Sequence, residues 1–248
     1  MIYIICSIIM LNQNSIFTDY QPLRNSHHQS KTLSDIMSHI SKKDMEQYGD
    51  DITNGHELTH VINNRFGNNY KRKVKNYKLQ ALYVLDNKIV ILQEPKTKIS
   101  KARKLVPPSL RGTNTYELYT GKRKQPYWDE YPLYLFNEWV AYTNGSIIRH
   151  ELGIKKRGES VQYMLELSVY SLCVIWESGN RDEKTKDFTK WYLKRTMEVY
   201  NDNLKIGGID GATKYLKVLK YSDDTKNFRK FLKNYLGEKY INELFLQL

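Results

Sequence analysis

The stretch Asp51-Ile52-Thr53-Asn54-Gly55-His56-Glu57-Leu58-Thr59-His60-Val61-Ile62-Asn63-Asn64-Arg65-Phe66-Gly67 sets the reading of the whole chain. Its centre, His56-Glu57-Leu58-Thr59-His60, has the form H-E-x-x-H. On a helix, residues four apart stand one turn above each other on one face. His56 and His60 can therefore reach one metal ion together. Glu57 lies about 100° round the helix from His56 and about 60° from His60. That puts a carboxylate beside a metal, where it can take a proton from a bound water. Leu58, Val61, Ile62 and Phe66 form an apolar arc expected to face a core, while His56, His60, Asn63 and Gly67 fall opposite. Asp51 or Thr53 can cap the start, and Gly67 can supply a stop. The expectation is a helix of about four turns with separate metal and core faces. The bland alternative is a solvated face with a chance match, but such a face has no use for two histidines.

Outward from this helix, Leu33, Ile36, Met37 and Ile40 have helical spacing. Gln21 to Thr32 is polar and reads as a loop, with His27 and His28 solvated in it. Downstream, Leu79 to Leu85 and Ile89 to Leu92 flank Asp86-Asn87-Lys88, which predicts a β-hairpin. Residues 94 to 128 hold four of the six Pro and many basic residues, and they read as a long irregular connection lining a cleft. From Asp129 the chain turns helical. Pro132 suits a first turn, and the helix continues over Leu133 to Asn144. Glu159 to Glu177 is a long apolar helix, interrupted by Gln162 and Glu166 and so not transmembrane. Asp187 to Tyr200 and Asp224 to Tyr235 are amphipathic, separated by a break at Gly207-Gly208 and Gly211.

The 248 residues suffice for a sizeable core. The fold class expected is α+β in a single domain over 1–248. A small mixed N-terminal lobe, about 1–128, carries the H-E-x-x-H helix and hairpin, and a largely helical C-terminal lobe covers about 129–248. Net charge is +12, from 39 Lys plus Arg against 27 Asp plus Glu. The basic runs at 71–75, 101–104 and 122–124 could attract nucleic acid or anionic surfaces. The excess is spread along the chain, however, so no stable nucleic-acid partner is expected. Cys6 and Cys173 are too few and too far apart for a disulfide framework, and Cys173 reads as a small core residue. The apolar run 2–11 is too short to span a bilayer and lacks a basic flank, so no transmembrane anchor is expected. It reads equally as a buried strand or a degenerate signal sequence, which leaves the compartment open.

Two histidines do not make a catalytic zinc site, where three protein ligands and a water are expected. Glu138 is a carboxylate inside the apolar helical stretch Tyr134 to Gly145. A buried carboxylate needs a cation. Ala141 and Gly145, on the same face, would let another helix approach closely. Glu130, His150, Glu151 and Glu166 are rival ligands.

His56-Glu57-Leu58-Thr59-His60 together with Asn137-Glu138-x-x-Ala141 resembles the zincin metallopeptidases, in their glutamate-ligand branch, the gluzincins. The stretch Glu94 to Gly145, with Leu110-Arg111-Gly112, looks like uncharacterised bacterial proteins of this kind. The resemblance covers residues 51 to 145 at most. It implies a zincin-like fold and a zinc-dependent hydrolase acting on a protein or peptide. His56, His60 and Glu138 would be zinc ligands and Glu57 the general base. Two features depart from the pattern: the separation of His60 from Glu138 is long, and the hairpin follows the motif helix where a zincin sheet normally precedes it. Tyr142, one turn from Glu138, could donate to a developing oxyanion. Arg111 could bind a substrate carboxylate or that oxyanion, and Asn63 could fix His60 or a bound water. The rival classes are a zinc-site protein without catalysis and a basic nucleic-acid-binding protein with a chance motif.

Overall fold

A computed structural model describes residues 16–45, 48–71, 78–121 and 126–246. The chain runs β1 (Thr18–Asp19), α1 (Lys31–Ser38), α2 (Asp51–Lys71), β2 (Leu79–Tyr83), β3 (Lys88–Gln93), then the short α3 (Ile99–Ala102) and α4 (Asn114–Tyr119). Six helices follow: α5 (Tyr134–Glu151), α6 (Glu159–Ser178), α7 (Glu183–Ile206), α8 (Asp210–Tyr221), α9 (Lys226–Leu236) and α10 (Glu238–Leu246). The architecture is α+β, mostly helical, with one three-stranded antiparallel sheet ordered β1-β3-β2. The apolar run 2–11, Cys6 and the side chains of the basic runs at 71–75 and 122–124 lie outside the described residues. Among the described residues, no helix is long and apolar enough to cross a membrane.

The hairpin forms where the two apolar runs and the Asp86-Asn87-Lys88 turn placed it, with Leu79 opposite Gln93 and Tyr83 opposite Ile89. Leu85, Asp86 and Asn87 all have positive φ in its turn. Asp and Asn tolerate that region, whereas a leucine there is strained. Both faces of the sheet are covered. Leu82, Val84, Val90 and Leu92 join the larger core. Ala81, Tyr83, Leu85, Ile89 and Ile91 join a smaller core with α1 and α2. Two-sided burial explains why these strands read as nearly continuous apolar runs instead of a clean alternation.

The motif helix departs from expectation at both ends. Its cap is Asp50, whose Oδ1 accepts from Thr53 N at 2.9 Å and from Thr53 Oγ1 at 2.8 Å, not Asp51 or Thr53. It also runs past Gly67 to Lys71. Gly67 sits inside the helix, where a Cβ would lie 3.8 Å from the Ala81 Cβ. That is ordinary contact, so the position has room for a side chain, and the helix simply runs through the glycine at a modest propensity cost.

The helix α5 joins the two cores. Ile148 belongs to the smaller one, and Phe136, Trp139 and Val140 to the larger. It meets α2 at a crossing made close by glycines on both sides. A Cβ on Gly55 would lie 2.0 Å from Ile148 Cδ1, and one on Gly145 would lie 3.2 Å from the Ile52 carbonyl. The small-residue face expected around Glu138 is therefore used, and it is used against α2. Asn144 Nδ2 adds bonds to Thr59 Oγ1 at 3.2 Å and the Tyr83 carbonyl at 3.3 Å. Cys173 is fully buried in α6. The break at Gly207-Gly208 is real, with φ of +85° and +73°. Gly211, by contrast, lies within α8, a helix that the glycine-rich spacing concealed.

Candidate metal centre

The helix pitch brings His56 and His60 together as expected, with their Nε2 atoms 3.1 Å apart. His56, Glu57 and His60 offer ligand atoms within 4.8 Å of one another, and that group could hold a metal ion. The α2–α5 crossing adds Glu138. Its Oε2 lies 3.6 Å from His56 Nε2, and its Oε1 lies 3.5 Å from His60 Nε2. Two donors each about 2.0–2.1 Å from a tetrahedral zinc lie about 3.3–3.4 Å apart. The three separations of 3.1, 3.5 and 3.6 Å bracket that edge. Glu57 Oε1 is 3.8 Å from His56 Nε2 on a side chain 40% exposed, whereas the Glu138 side chain is 3% exposed.

Behind His60 the packing is polar. His60 Nδ1 donates to Asn137 Oδ1 at 3.0 Å, which also accepts from Asn63 Nδ2 at 2.6 Å. Asn63 Oδ1 accepts from Tyr83 N at 2.6 Å. With Nδ1 held as a donor, the neutral ring presents the lone pair of Nε2 to the centre. Asn63 thus acts on His60 through Asn137, one step further back than the sequence spacing implied. The His56 ring is held by packing instead: Tyr142 lies 4.2 Å away between ring centroids, and His56 Nδ1 is buried without a partner among the described residues.

Charge follows this geometry. Burial, and then the neighbouring His60, push the His56 imidazolium down to about 3, so its ring is neutral at pH 7. Burial opposes charge on Glu138 as well, but the His60 charge and hydrogen bond overcome it and hold its carboxyl at about 2. The reciprocal effect appears on His60, where burial lowers the pKa but Glu138 raises it to a net increase. No lysine or arginine among the described residues pairs with Glu138. Tyr119 donates to Glu138 Oε2 at 3.1 Å, and Tyr134 also bonds the carboxylate. Burial and the Glu138 charge push both phenols well above their ordinary value, so both remain donors. The Tyr142 hydroxyl lies 3.3 Å from that of Tyr119.

Cavities open on both sides. One of ≈180 Å³ is lined by His56, Glu57, Tyr142, Arg157, Glu159 and Tyr163, among others. Arg157 there is countered by Asp50 at 2.7 Å and Glu159 at 3.6 Å. The other, ≈400 Å³, is lined by His60, Asn137 and a group of aromatic residues.

The remaining sequence candidates lie elsewhere. Glu130 pairs with Lys98. Glu151 accepts from Ser30 Oγ at 2.5 Å and from Thr32 N and Oγ1 at 3.0 Å each, clamping the start of α1. Glu166 is buried with Thr113, Gln162 and Tyr170 as donors. His150 is half-buried on the last turn of α5. Arg111 donates to the Val106 and Lys104 carbonyls and so braces its own loop. His28, expected in solvent, has its Nε2 3.6 Å from Asp51 Oδ2. Tyr119 and Tyr134 are the residues that sequence reasoning missed. Tyr134 had a legible signal, being four residues before Glu138 on the same helix face. Tyr119 had none, because it comes from the irregular connection.

Comparison of the chain with protein-family profiles, with curated proteins and with solved structures finds no match.

Proposed function

We propose that this protein is a zinc-dependent metallopeptidase with a zincin-like site, in which His56, His60 and Glu138 hold the metal. The observation that carries the reading is the convergence of two neutral-capable Nε2 atoms and one buried carboxylate at tetrahedral spacing. The donor set fits zinc: two imidazoles and one carboxylate, with the second nitrogen of His60 fixed from behind. A zinc ion held there would supply a Lewis acid and make a bound water a nucleophile near neutral pH.

The chain's own groups divide the remaining work. Glu57 stands beside the centre and faces the cavity shared with Tyr142. It is the residue placed to take a proton from the attacking water and pass it to the leaving amine. Tyr142 remains protonated, because burial raises its phenol pKa. Tyr119 directs its own proton to Glu138, so the 3.3 Å bond between the two hydroxyls is donated by Tyr142, and a developing oxyanion would draw that proton away from the Tyr119 oxygen. Tyr119 and Tyr134 orient the Glu138 carboxylate. The hairpin follows α2 here, so the zincin likeness rests on the helix pair and its side chains.

Glu57→Gln tests the reading. The variant should retain about one zinc per chain, measured by elemental analysis, and lose peptide hydrolysis, because glutamine keeps the shape but cannot accept the proton. Parent protein purified without chelator and free of transition metal would refute the metal site. Turnover retained by metal-loaded Glu57→Gln would refute the role of Glu57.

A further inference from the structure

The larger cavity beside the metal centre has a wall that folding alone does not account for. Tyr127, Trp128, Tyr131 and Tyr134 come from one short stretch at and before the start of α5, and all four line it. Trp128 stacks on Tyr134 at 4.3 Å, and Tyr127 meets Trp128 edge-on at 5.9 Å. Yet Tyr127 is 63% exposed and Tyr131 42%. Exposed large rings gathered round one concavity mark a binding surface more often than a packing need. Of the metal-centre residues it is lined by His60, with Asn137 behind that ring, so a group seated in it lies on the His60 side of the centre, opposite the cavity that Glu57 and Tyr142 line.

We infer that this cavity is the subsite for a large aromatic side chain of the peptide, adjacent to the bond that is cut. The inference rests on the metallopeptidase reading and names its substrate class. Size and charge both select the occupant. At ≈400 Å³ the cavity is over twice the ≈180 Å³ of the one on the His56 side. Both signs of charge stand near the cavity, the Lys78 ammonium 4.6 Å over the Tyr131 ring and the Glu94 carboxylate, which accepts from Leu133 N at 3.0 Å, so charge on balance favours neither a basic nor an acidic side chain. A neutral ring can meet the tyrosines and tryptophan in stacked or edge-to-face geometry. The amide of Asn64, on the same cavity, can bond the substrate main chain, whereas Gln80 Nε2 donates to the Ala81 carbonyl at 2.9 Å.

The test uses blocked hexapeptides identical except for Phe, Leu, Lys or Ala, placed at each position in turn. The zinc-loaded parent should show kcat/KM about tenfold higher for Phe than for Ala at one position adjacent to the cleavage point. Tyr127→Ala/Tyr131→Ala, altering two exposed residues, should reduce that ratio below about threefold. The same peptides are titrated calorimetrically into zinc-loaded Glu57→Gln, with and without the tyrosine substitutions. The Phe peptide should bind more tightly, and the advantage should fall with the tyrosines. If no peptide is cleaved but this binding order holds, the subsite stands and the hydrolase reading falls. No Phe preference in binding or cleavage, a preference for Lys, or a Phe preference untouched by the double substitution would overturn the subsite.

Discussion

Glu138→Gln separates a metal ligand from a buried structural carboxylate. Glutamine preserves length and one carbonyl acceptor for the tyrosine hydroxyls, but it replaces a charged oxygen donor with a neutral amide. Glu138 is 2% exposed, and its oxygens are 3.5 and 3.6 Å from the two Nε2 atoms. Replacing a group that merely supports a ligand typically weakens metal binding about 10–100-fold. Replacing a ligand itself should reach at least the top of that range, about a hundredfold or about 2.8 kcal/mol. Glu151→Ala is the matched control. Its carboxylate accepts three hydrogen bonds at the start of α1 and none at the metal centre. It should cost about 1–2 kcal/mol of stability, as loss of a helix cap does, and leave zinc affinity unchanged. Zinc affinity is read by competition with a chromophoric chelator, and folding by circular dichroism with thermal melts. A folded Glu138→Gln protein that holds zinc as tightly as the parent refutes Glu138 as a ligand, whatever becomes of His56 and His60.

Three other outcomes follow from the packing and the charges. Gly55→Ala places a methyl 2.0 Å from Ile148 Cδ1; overpacking of about 1–3 kcal/mol should outweigh a helix-propensity gain of about 1 kcal/mol. In an Ile148→Val background, which removes that carbon, the same substitution should become stabilising in urea melts, and a loss in both backgrounds would refute the crossing geometry. Asn137→Leu frees the His60 ring and should weaken zinc binding about 10–100-fold by chelator competition; unchanged affinity would show that packing alone orients His60. Burial lowers the pKa of His39 below 6.5 despite Asp35 beside it. The unfolded chain therefore takes up that proton first as pH falls, and stability drops from about pH 6.5 downward. His39→Gln should flatten the change in urea midpoint between pH 7.5 and 5.5, and equal slopes would exclude His39.

What the sequence by itself determined is local. A helix puts residues i and i+4 on one face whatever surrounds it, so His56 above His60, with Glu57 to one side, was legible from spacing alone. The hairpin at residues 79–92 was legible for the same reason, since two apolar runs of strand formers about an Asp-Asn turn are a short-range signal. Glu138 stood out because a carboxylate in an apolar helix needs a buried partner. Which partner it has was decided only by the tertiary structure. Gly55 and Gly145 let α2 and α5 approach closely enough to set that carboxylate against both histidines, and this depends on the volumes of Ile52 and Ile148 far away in sequence. Tyr119, carried by a connection without periodicity, reaches Glu138 only after α4 packs. Glu151 looked free to be solvated at a helix end until α1 brought Ser30 and Thr32 to it. Gly67 read as a stop because a glycine that ends a helix and one that a helix runs through look alike in sequence; the helix continues to Lys71.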